Sequence, residues 1–365
     1  MQVKHDGQTY APKGKAEPVC APGEFSIGVI GLDHGHIYGM CNGLAESGAD
    51  VALVWEPNAE KLTAFQVKFP QVKLAKSKEQ ILEDPGIKLI ASAAIPDLRS
   101  GLGIEAMKHG KDYFVDKPPL ITKTQLENAR KTAAETKRKF GVYYSERLHV
   151  EAAVYAGNLI DQGALGKVIN VTLLAPHRLN APSRPDWFWD KKRYGGILTD
   201  IGCHQIEQIL AFSGAKTAKV TNAHTANFIN KDHPDFEDFG DAKLICDNGA
   251  TGYLRVDWFT PAGLGAWGDG RAFIIGTDGY MEIRKYINPA LDKEGDHIIL
   301  VDKQGEQHIR AANTCGFPFF GRFIRDCLDR TENAMSQEHT FKAIELAIEA
   351  QELAFKSKLG GFDKE

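Results

Sequence analysis

From residue 25 to residue 144, short apolar runs alternate with helix-like stretches, and this alternation narrows the fold more than any other feature of the chain. The runs lie at 25–31, 51–55, 87–93, 113–115 and 140–144. Helical candidates fill the gaps at about 37–47, 58–69, 77–83, 101–109 and 122–136. Thr122 is a good N-cap, Asp84-Pro85-Gly86 marks a turn, and a short strand is expected at 72–74. Strands this apolar need cover on both faces, which a parallel sheet between helices provides. The expectation is an α/β Rossmann domain, a doubly wound parallel sheet, over 24–145.

After Tyr144 the pattern changes. A helix is expected at 149–161, then β-type segments at 168–174, 218–227, 241–246, 250–259, 271–275, 280–283 and 297–302. Asp247-Asn248-Gly249, Thr277-Asp278-Gly279 and Gln304-Gly305 mark hairpin turns. These imply an α+β domain over 146–335 with a large open, mainly antiparallel sheet, and with a helix over 196–212 inside it. Helices are expected again at 319–330 and 337–356, the latter N-capped by Ser336, and segment 336–365 is expected to pack back on the Rossmann domain. Residues 1–23 read as an arm that is disordered or draped on a neighbouring subunit and carries no catalysis.

Composition removes several function classes. Among 365 residues, 44 Lys and Arg face 48 Asp and Glu, a net charge of -4 that offers nucleic acid no basic field. No apolar run approaches the roughly 20 residues of a membrane helix. The first 24 residues are polar and broken by Pro12, Pro18 and Pro22, unlike a signal peptide. Six scattered cysteines without a CxxC pair support neither a zinc ribbon nor a disulfide framework, so a cytoplasmic protein is expected.

The segment Ser26-Ile27-Gly28-Val29-Ile30-Gly31-Leu32-Asp33-His34-Gly35-His36 joins the first strand to the first helix, where backbone N–H groups hold a diphosphate. Counted from Gly31, the second and third glycines of GxGxxG fall on Asp33 and His36, with Gly35 one position early. Asp33 is unfavourable there unless its side chain turns away or accepts local hydrogen bonds. Glu56, at the tip of the second strand, suits both ribose hydroxyls of NAD and would repel a 2′-phosphate. A metal cluster of Asp33, His34 and His36 is disfavoured, because three ligands within four residues do not easily converge on one ion, and no metal is expected.

Two segments carry candidate chemistry. Asp116-Lys117-Pro118-Pro119 follows the fifth strand, and Pro118 holds Lys117 extended so that its ammonium is aimed. In Tyr194-Gly195-Gly196-Ile197-Leu198-Thr199-Asp200-Ile201-Gly202-Cys203-His204-Gln205, a continuous helix would put Asp200 and His204 one turn apart on one face. Gly195-Gly196 would let the backbone approach a ligand closely. Such a His takes a hydroxyl proton near neutral pH.

Over residues 25–358 the chain resembles the glucose–fructose oxidoreductase / inositol dehydrogenase (Gfo/Idh/MocA) family of NAD(P)-dependent sugar and polyol dehydrogenases. The resemblance rests on the loop at Gly31, on Ile95-Pro96-Asp97 in place of Thr-Pro-Asn, on Asp116-Lys117-Pro118 in place of Glu-Lys-Pro, and on Gly196–His204 as Gly-x-x-x-Asp-x-Gly-x-His. It implies NAD as cofactor, held by Gly31, Asp33, His34, Gly35, His36, Glu56, Pro96, Asp116 and Lys117. It also implies a catalytic trio. His204 is the base, Lys117 stabilises the developing alkoxide, and Asp200 orients His204 or a neighbouring hydroxyl. Asp33, Asp116 and a missing His near Arg99 depart from the family pattern. In the family the open sheet often forms oligomer contacts, so a homo-oligomer is expected.

Substrate contacts are expected from His177 and Arg178 at a strand end and from Trp187 in the loop Arg184-Pro185-Asp186-Trp187-Phe188-Trp189, alongside the trio. Trp258 and Trp267 are further candidates. The expected activity is oxidation of a secondary ring hydroxyl of a sugar, glycoside or cyclitol. The alternatives are a redox-neutral enzyme that keeps its NAD bound and a non-catalytic nucleotide sensor.

Overall fold

A computed structural model describes residues 7–14, 17–291 and 293–357. Of these, 8–143 and 316–341 form one compact unit, and Gly7, 144–315 and 342–357 form another.

The first unit holds β1 (Ser26–Ile30), β2 (Asp50–Trp55), β3 (Lys73–Leu74), β4 (Ile87–Ser92), β5 (Asp112–Asp116) and β6 (Phe140–Tyr143). They form one parallel sheet in the order β3-β2-β1-β4-β5-β6. Every residue of β5 and β6 is buried, as helices on both faces require. Strand order reverses between β1 and β4, and ligands bind at the carboxyl ends of strands beside such a switch. The loop after β1 and the helix Pro96–Lys108 both start there. Capping follows the sequence: Thr122 accepts from Gln125 N at 3.2 Å, and Asn58 accepts from Glu60 N and Lys61 N.

The arm differs from expectation. Its described residues dock on their own unit: Gly14 N donates to Glu46 Oε2 (2.9 Å), Val19 N to the Ser47 carbonyl (2.9 Å), and Cys20 Sγ to the Gly48 carbonyl (3.3 Å). The Gln8 carbonyl closes on Gly35, where a Cβ would lie 2.7 Å from its oxygen. Residues 1–6 and 15–16 lie outside the described residues.

The second unit holds β7 (Val168–Pro176), β8 (Ala218–Ala226), β9 (Phe239–Cys246), β10 (Thr251–Asp257), β11 (Arg271–Gly276), β12 (Gly279–Arg284), β13 (His297–Asp302), β14 (Gly305–Arg310) and β15 (Phe355–Ser357). The order is β14-β13-β12-β11-β7-β10-β9-β8-β15, antiparallel except for β7 with β10 and β8 with β15. Residues alternate in burial along β7, β9, β10 and β11. One face packs on the helix Gly202–Ser213, close enough that a Cβ on Gly252 would meet Ile209 at 2.7 Å. On the strands, Ile169, Ile245, Ile275 and Tyr280 are 44–52% exposed.

Two expectations are corrected here. The helix over 196–212 is broken into Ile197–Asp200 and Gly202–Ser213. The helix at 337–356 ends at Leu353, and residues 342–357 belong to the second unit, where Phe355–Ser357 pairs with His224–Ala226. Ser336 does cap it, accepting from His339 N at 3.1 Å.

Candidate active site

The chemistry-bearing side chains fall into two groups, one in each unit. In the nucleotide-type unit the loop after β1 turns at Gly31, whose φ of +85° suits glycine and whose added Cβ would lie 2.8 Å from Ala94 Cβ. Glu56, at the tip of β2, accepts from Leu32 N (2.8 Å) and Asn58 N (3.0 Å) with different oxygens. Each oxygen keeps a second lone pair, so the carboxylate can shape the loop and still receive ribose hydroxyls. Asp33 turns to Lys61, with Oδ1 at 2.5 Å from Nζ, which removes the objection to an acid at the second glycine position.

His34 and His36 both turn to Asp116 at the end of β5: His34 Nδ1 lies 3.0 Å from Oδ2 and His36 Nδ1 2.7 Å from Oδ1. Asp116 is fully buried and also accepts from Arg99 NH2 (2.9 Å) and Lys117 N (2.8 Å). Burial pushes its carboxyl up, but Arg99, His36 and His34 outweigh that and hold it well below the usual range. An ionised carboxylate only accepts, so each ring carries its proton on Nδ1. Burial drives His34 down to about 4 despite the opposing pull of Asp116, so the ring is neutral at pH 7.

His34, His36 and Asp116 also offer three potential metal-ligand atoms within 4.8 Å of one another, a different trio from the Asp33, His34 and His36 set. The Arg99 guanidinium on Oδ2 opposes a dipositive ion there, and we read the group as a hydrogen-bonded hub.

Arg99, noted in the sequence only as lying near the place of a missing His, was given no role there. It is 1% exposed, and it donates to the carbonyls of Ala94 (2.6 Å), Lys117 and Pro118 (3.0 Å) as well as to Asp116. It thereby ties the loop after β4, which leads into Pro96, to the segment carrying Lys117. Lys117 is 8% exposed, and its peptide bond to Pro118 is cis.

In the second unit, Asp200 closes the helix Ile197–Asp200 and is half-buried, while His204 lies in the first turn of the next helix, 2% exposed. The helix break falls between them, so a shared continuous face does not hold them together. The bend before them is fixed from inside the unit. Glu237 Oε2 accepts from Ile197 N (2.9 Å), and Gln351 Oε1 accepts from Leu198 N (2.9 Å). A Cβ on Gly196, at φ +94°, would meet Gln351 at 2.3 Å. What approaches that glycine is a side chain of the same chain, not a ligand.

Glu146, 3% exposed, is a second residue missed in the sequence. Its Oε2 accepts from Gln205 Nε2 (2.8 Å) and Lys285 Nζ (2.9 Å), and its Oε1 lies 3.7 Å from His177 Nε2. Burial raises this carboxyl, but Lys285, His204 and His177 outweigh it and hold it below its ordinary value. His177 packs against Trp267 (4.5 Å between ring centres) and Trp258 (5.5 Å). Arg178, expected at substrate, instead donates through NH2 to the carbonyls of Pro261, Leu264 and Ala266, which makes it a clamp on that loop. Trp187 is half-buried beside Phe188, which joins Tyr194, Phe236 and Trp258 in an aromatic cluster capped by Arg184.

The cradle at Gly31, the neutralised Asp33 and the spare lone pairs of Glu56 fit a dinucleotide. Comparison with known proteins agrees. Residues 25–144 match the oxidoreductase-family NAD-binding Rossmann fold, and residues 154–282 match the GFO/IDH/MocA C-terminal domain. The chain is 25% identical over 237 residues to scyllo-inositol 2-dehydrogenase (NAD(+)) of Bacillus subtilis, covering 64% of this chain and 65% of that protein. It is 24% identical over 177 residues to D-xylose dehydrogenase of Paenarthrobacter nicotinovorans, covering 47% and 45%. The chain thus spans about half to two thirds of these relatives. Among solved structures, a putative oxidoreductase from Erwinia carotovora atroseptica is 50% identical with a TM-score of 0.89, covering 91% of this chain and 99% of that one. Levoglucosan dehydrogenase with NADH shares the fold at 17% identity and a TM-score of 0.72, covering 90% and 95%. With both of its halves matched, this chain belongs to the GFO/IDH/MocA family of NAD-binding oxidoreductases.

Proposed function

We propose that the chain is an NAD-dependent dehydrogenase oxidising a secondary ring hydroxyl of a sugar, glycoside or cyclitol to a ketone. The observation that carries this reading is His204: a buried imidazole at the start of a helix, in the electrostatic company of the ionised Glu146. His204 takes the hydroxyl proton, Asp200 orients the substrate or the ring, and Lys117 donates a hydrogen bond to the oxygen as it gains negative charge. Gly31 and Gly35 let the loop carry the diphosphate, Glu56 receives the ribose hydroxyls and favours NAD over NADP, and His34 and His36 stiffen the loop through Asp116. When bound, the nicotinamide supplies the hydride acceptor. The relatives support a carbohydrate substrate, with His177 and Trp187 as its further contacts.

The test incubates purified protein and NAD with D-xylose, scyllo-inositol, methyl β-D-glucoside and levoglucosan, and follows NADH at 340 nm. Steady NADH formation with scyllo-inositol, methyl β-D-glucoside or levoglucosan, which have no free anomeric hydroxyl, supports the reading, whereas NADH from D-xylose alone points to lactone formation instead. No turnover across a broad polyol panel, with NADH bound normally, would sink it. The Gln8 carbonyl packed on Gly35, at the start of the helix His36–Glu46, favours a second reading in which NAD stays bound through a redox-neutral cycle. NAD(H) released on denaturing freshly purified protein separates the two. The exposed Ile169, Ile245, Ile275 and Tyr280 support a homo-oligomer, which light scattering measures, and the six free cysteines suit the cytoplasm.

A further inference from the structure

The second unit buries a charge pair for which the proposed reaction has no direct use. Glu146 and Lys285 are 3% and 1% exposed, and they meet at 2.9 Å. Burying two such ions is costly, and replacing them with apolar residues is often neutral or better for stability. The arrangement around them has a direction. Lys285 and Gln205 both donate to Oε2, on one side of the carboxylate. Among the described residues Oε1 has no hydrogen-bond partner, and it is turned to the His177 ring at 3.7 Å. Gln205 follows His204 directly on the helix Gly202–Ser213, so the same carboxylate is tied to the turn that carries the proposed base.

We infer that Glu146, clamped by Lys285 and Gln205, is a positioning residue that sets the proton affinity of His177 and His204, and with it the pH range in which a hydroxyl proton is accepted. This rests on the dehydrogenase reading above. The sign follows from geometry. Glu146 presents an open oxygen to His177 while Lys285 stands behind the other oxygen, so the negative charge is the nearer one and favours imidazolium.

Further titratable groups near the two rings are compensated or belong to the proposed trio. Tyr144, with its ring 6.3 Å from that of His204, is kept neutral by burial. Glu207, one turn along, is held by Arg147 Nε at 2.8 and 2.9 Å. Asp257, whose carbonyl accepts from His177 N, pairs its carboxylate with Arg255 at 3.1 Å. The Cys203 thiol donates to the Asp200 carbonyl at 3.2 Å. Asp200 itself lies on the preceding segment and acts equally in every variant below.

The experiment records kcat/KM against pH for the best of the four polyols, and in parallel titrates the histidine ring C–H signals by NMR, assigning two of the 12 with His177→Gln and His204→Asn. Glu146→Gln leaves Lys285 uncompensated, so the acid limb and the ring titrations should move down by about one pH unit or more. Lys285→Met leaves the carboxylate uncompensated and should move both up. The double variant E146Q/K285M should return them near wild type, and it guards against misfolding caused by a lone buried charge. Structural damage alone does not shift a titration in opposite directions. Unchanged titrations of both rings, or shifts in one direction for both single variants, overturn the inference. Opposite NMR shifts in a protein that turns over no polyol support the inference while the dehydrogenase reading fails.

Discussion

Each unit buries one carboxylate against one buried cation and faces it with two histidines: Asp116 with Arg99, His34 and His36, and Glu146 with Lys285, His177 and His204. The first network is closed. Both oxygens of Asp116 hold two donors each, and both rings sit within 3.0 Å. The second is open: among the described residues Oε1 of Glu146 has no hydrogen bond, and the His177 ring stands at 3.7 Å. A closed network fixes the shape of a loop. An open one acts through its field and tunes the proton affinity of the rings it faces. Substitutions in the first should therefore appear as lost stability and cofactor affinity, and those in the second as altered turnover.

The largest contrast is expected at His204. His204→Asn should lose two to four orders of magnitude in kcat, the usual scale of positioned acid–base catalysis, with NADH affinity unchanged. A near-normal rate in stopped-flow single turnovers would break the comparison at its functional end. Next comes Asp116→Asn. It strands the Arg99 guanidinium, and breaking a buried pair costs about 3–5 kcal/mol. Urea unfolding should show it, and a loss under about 1 kcal/mol would mean that the hub is not structural.

Acid sharpens the contrast further. His34 titrates near 4 in the folded chain against about 6.5 unfolded, so the unfolded state binds the proton first. Stability should fall as pH drops from about 6.5 towards 4, by up to roughly 3 kcal/mol from this residue. The contribution of Asp116, whose folded value is depressed, is in place above its unfolded value of about 3.9 and is lost only in stronger acid. His34→Gln should flatten the decline in Tm between pH 6.5 and 4.5, and an unchanged slope would place the titrating group elsewhere. The smallest effect is expected at Glu56. Glu56→Ser should narrow the NADH over NADPH preference by about tenfold, some 1.4 kcal/mol, by removing carboxylate–phosphate repulsion. Fluorescence titration with both dinucleotides measures it, and tighter NADPH binding by the wild type would overturn the ribose assignment.

How far the sequence could be read follows from where the information sits. β1, β2, β4, β5 and β6 were legible because parallel strands buried between helices are largely apolar. β14 was not, because Gly305–Arg310 is polar and mostly exposed and carries no hydrophobic pattern. Asp200 and His204 were legible as a motif, but the break at Ile201 was not, since helix propensity says nothing of Gln351 approaching Gly196 from 155 residues away. Arg99, Glu146 and Lys285 stayed hidden for the same reason. A buried charge is recognised by its partner, and the partner of Glu146 lies 139 residues along the chain.

The two margins of the nine-stranded sheet have a consequence for how the protein behaves in crowded solution. An unpaired strand is a template on which another chain can add. One margin is β14, which presents Glu306, His308 and Arg310, and the other is β15, only three residues long and carrying Lys356. The short strand β15 covers His224–Ala226, the last three residues of the longer β8. Chains shortened before Phe355 would lengthen the open edge of β8 by these three residues, and they would be expected to aggregate more readily through strand addition even with both units otherwise folded.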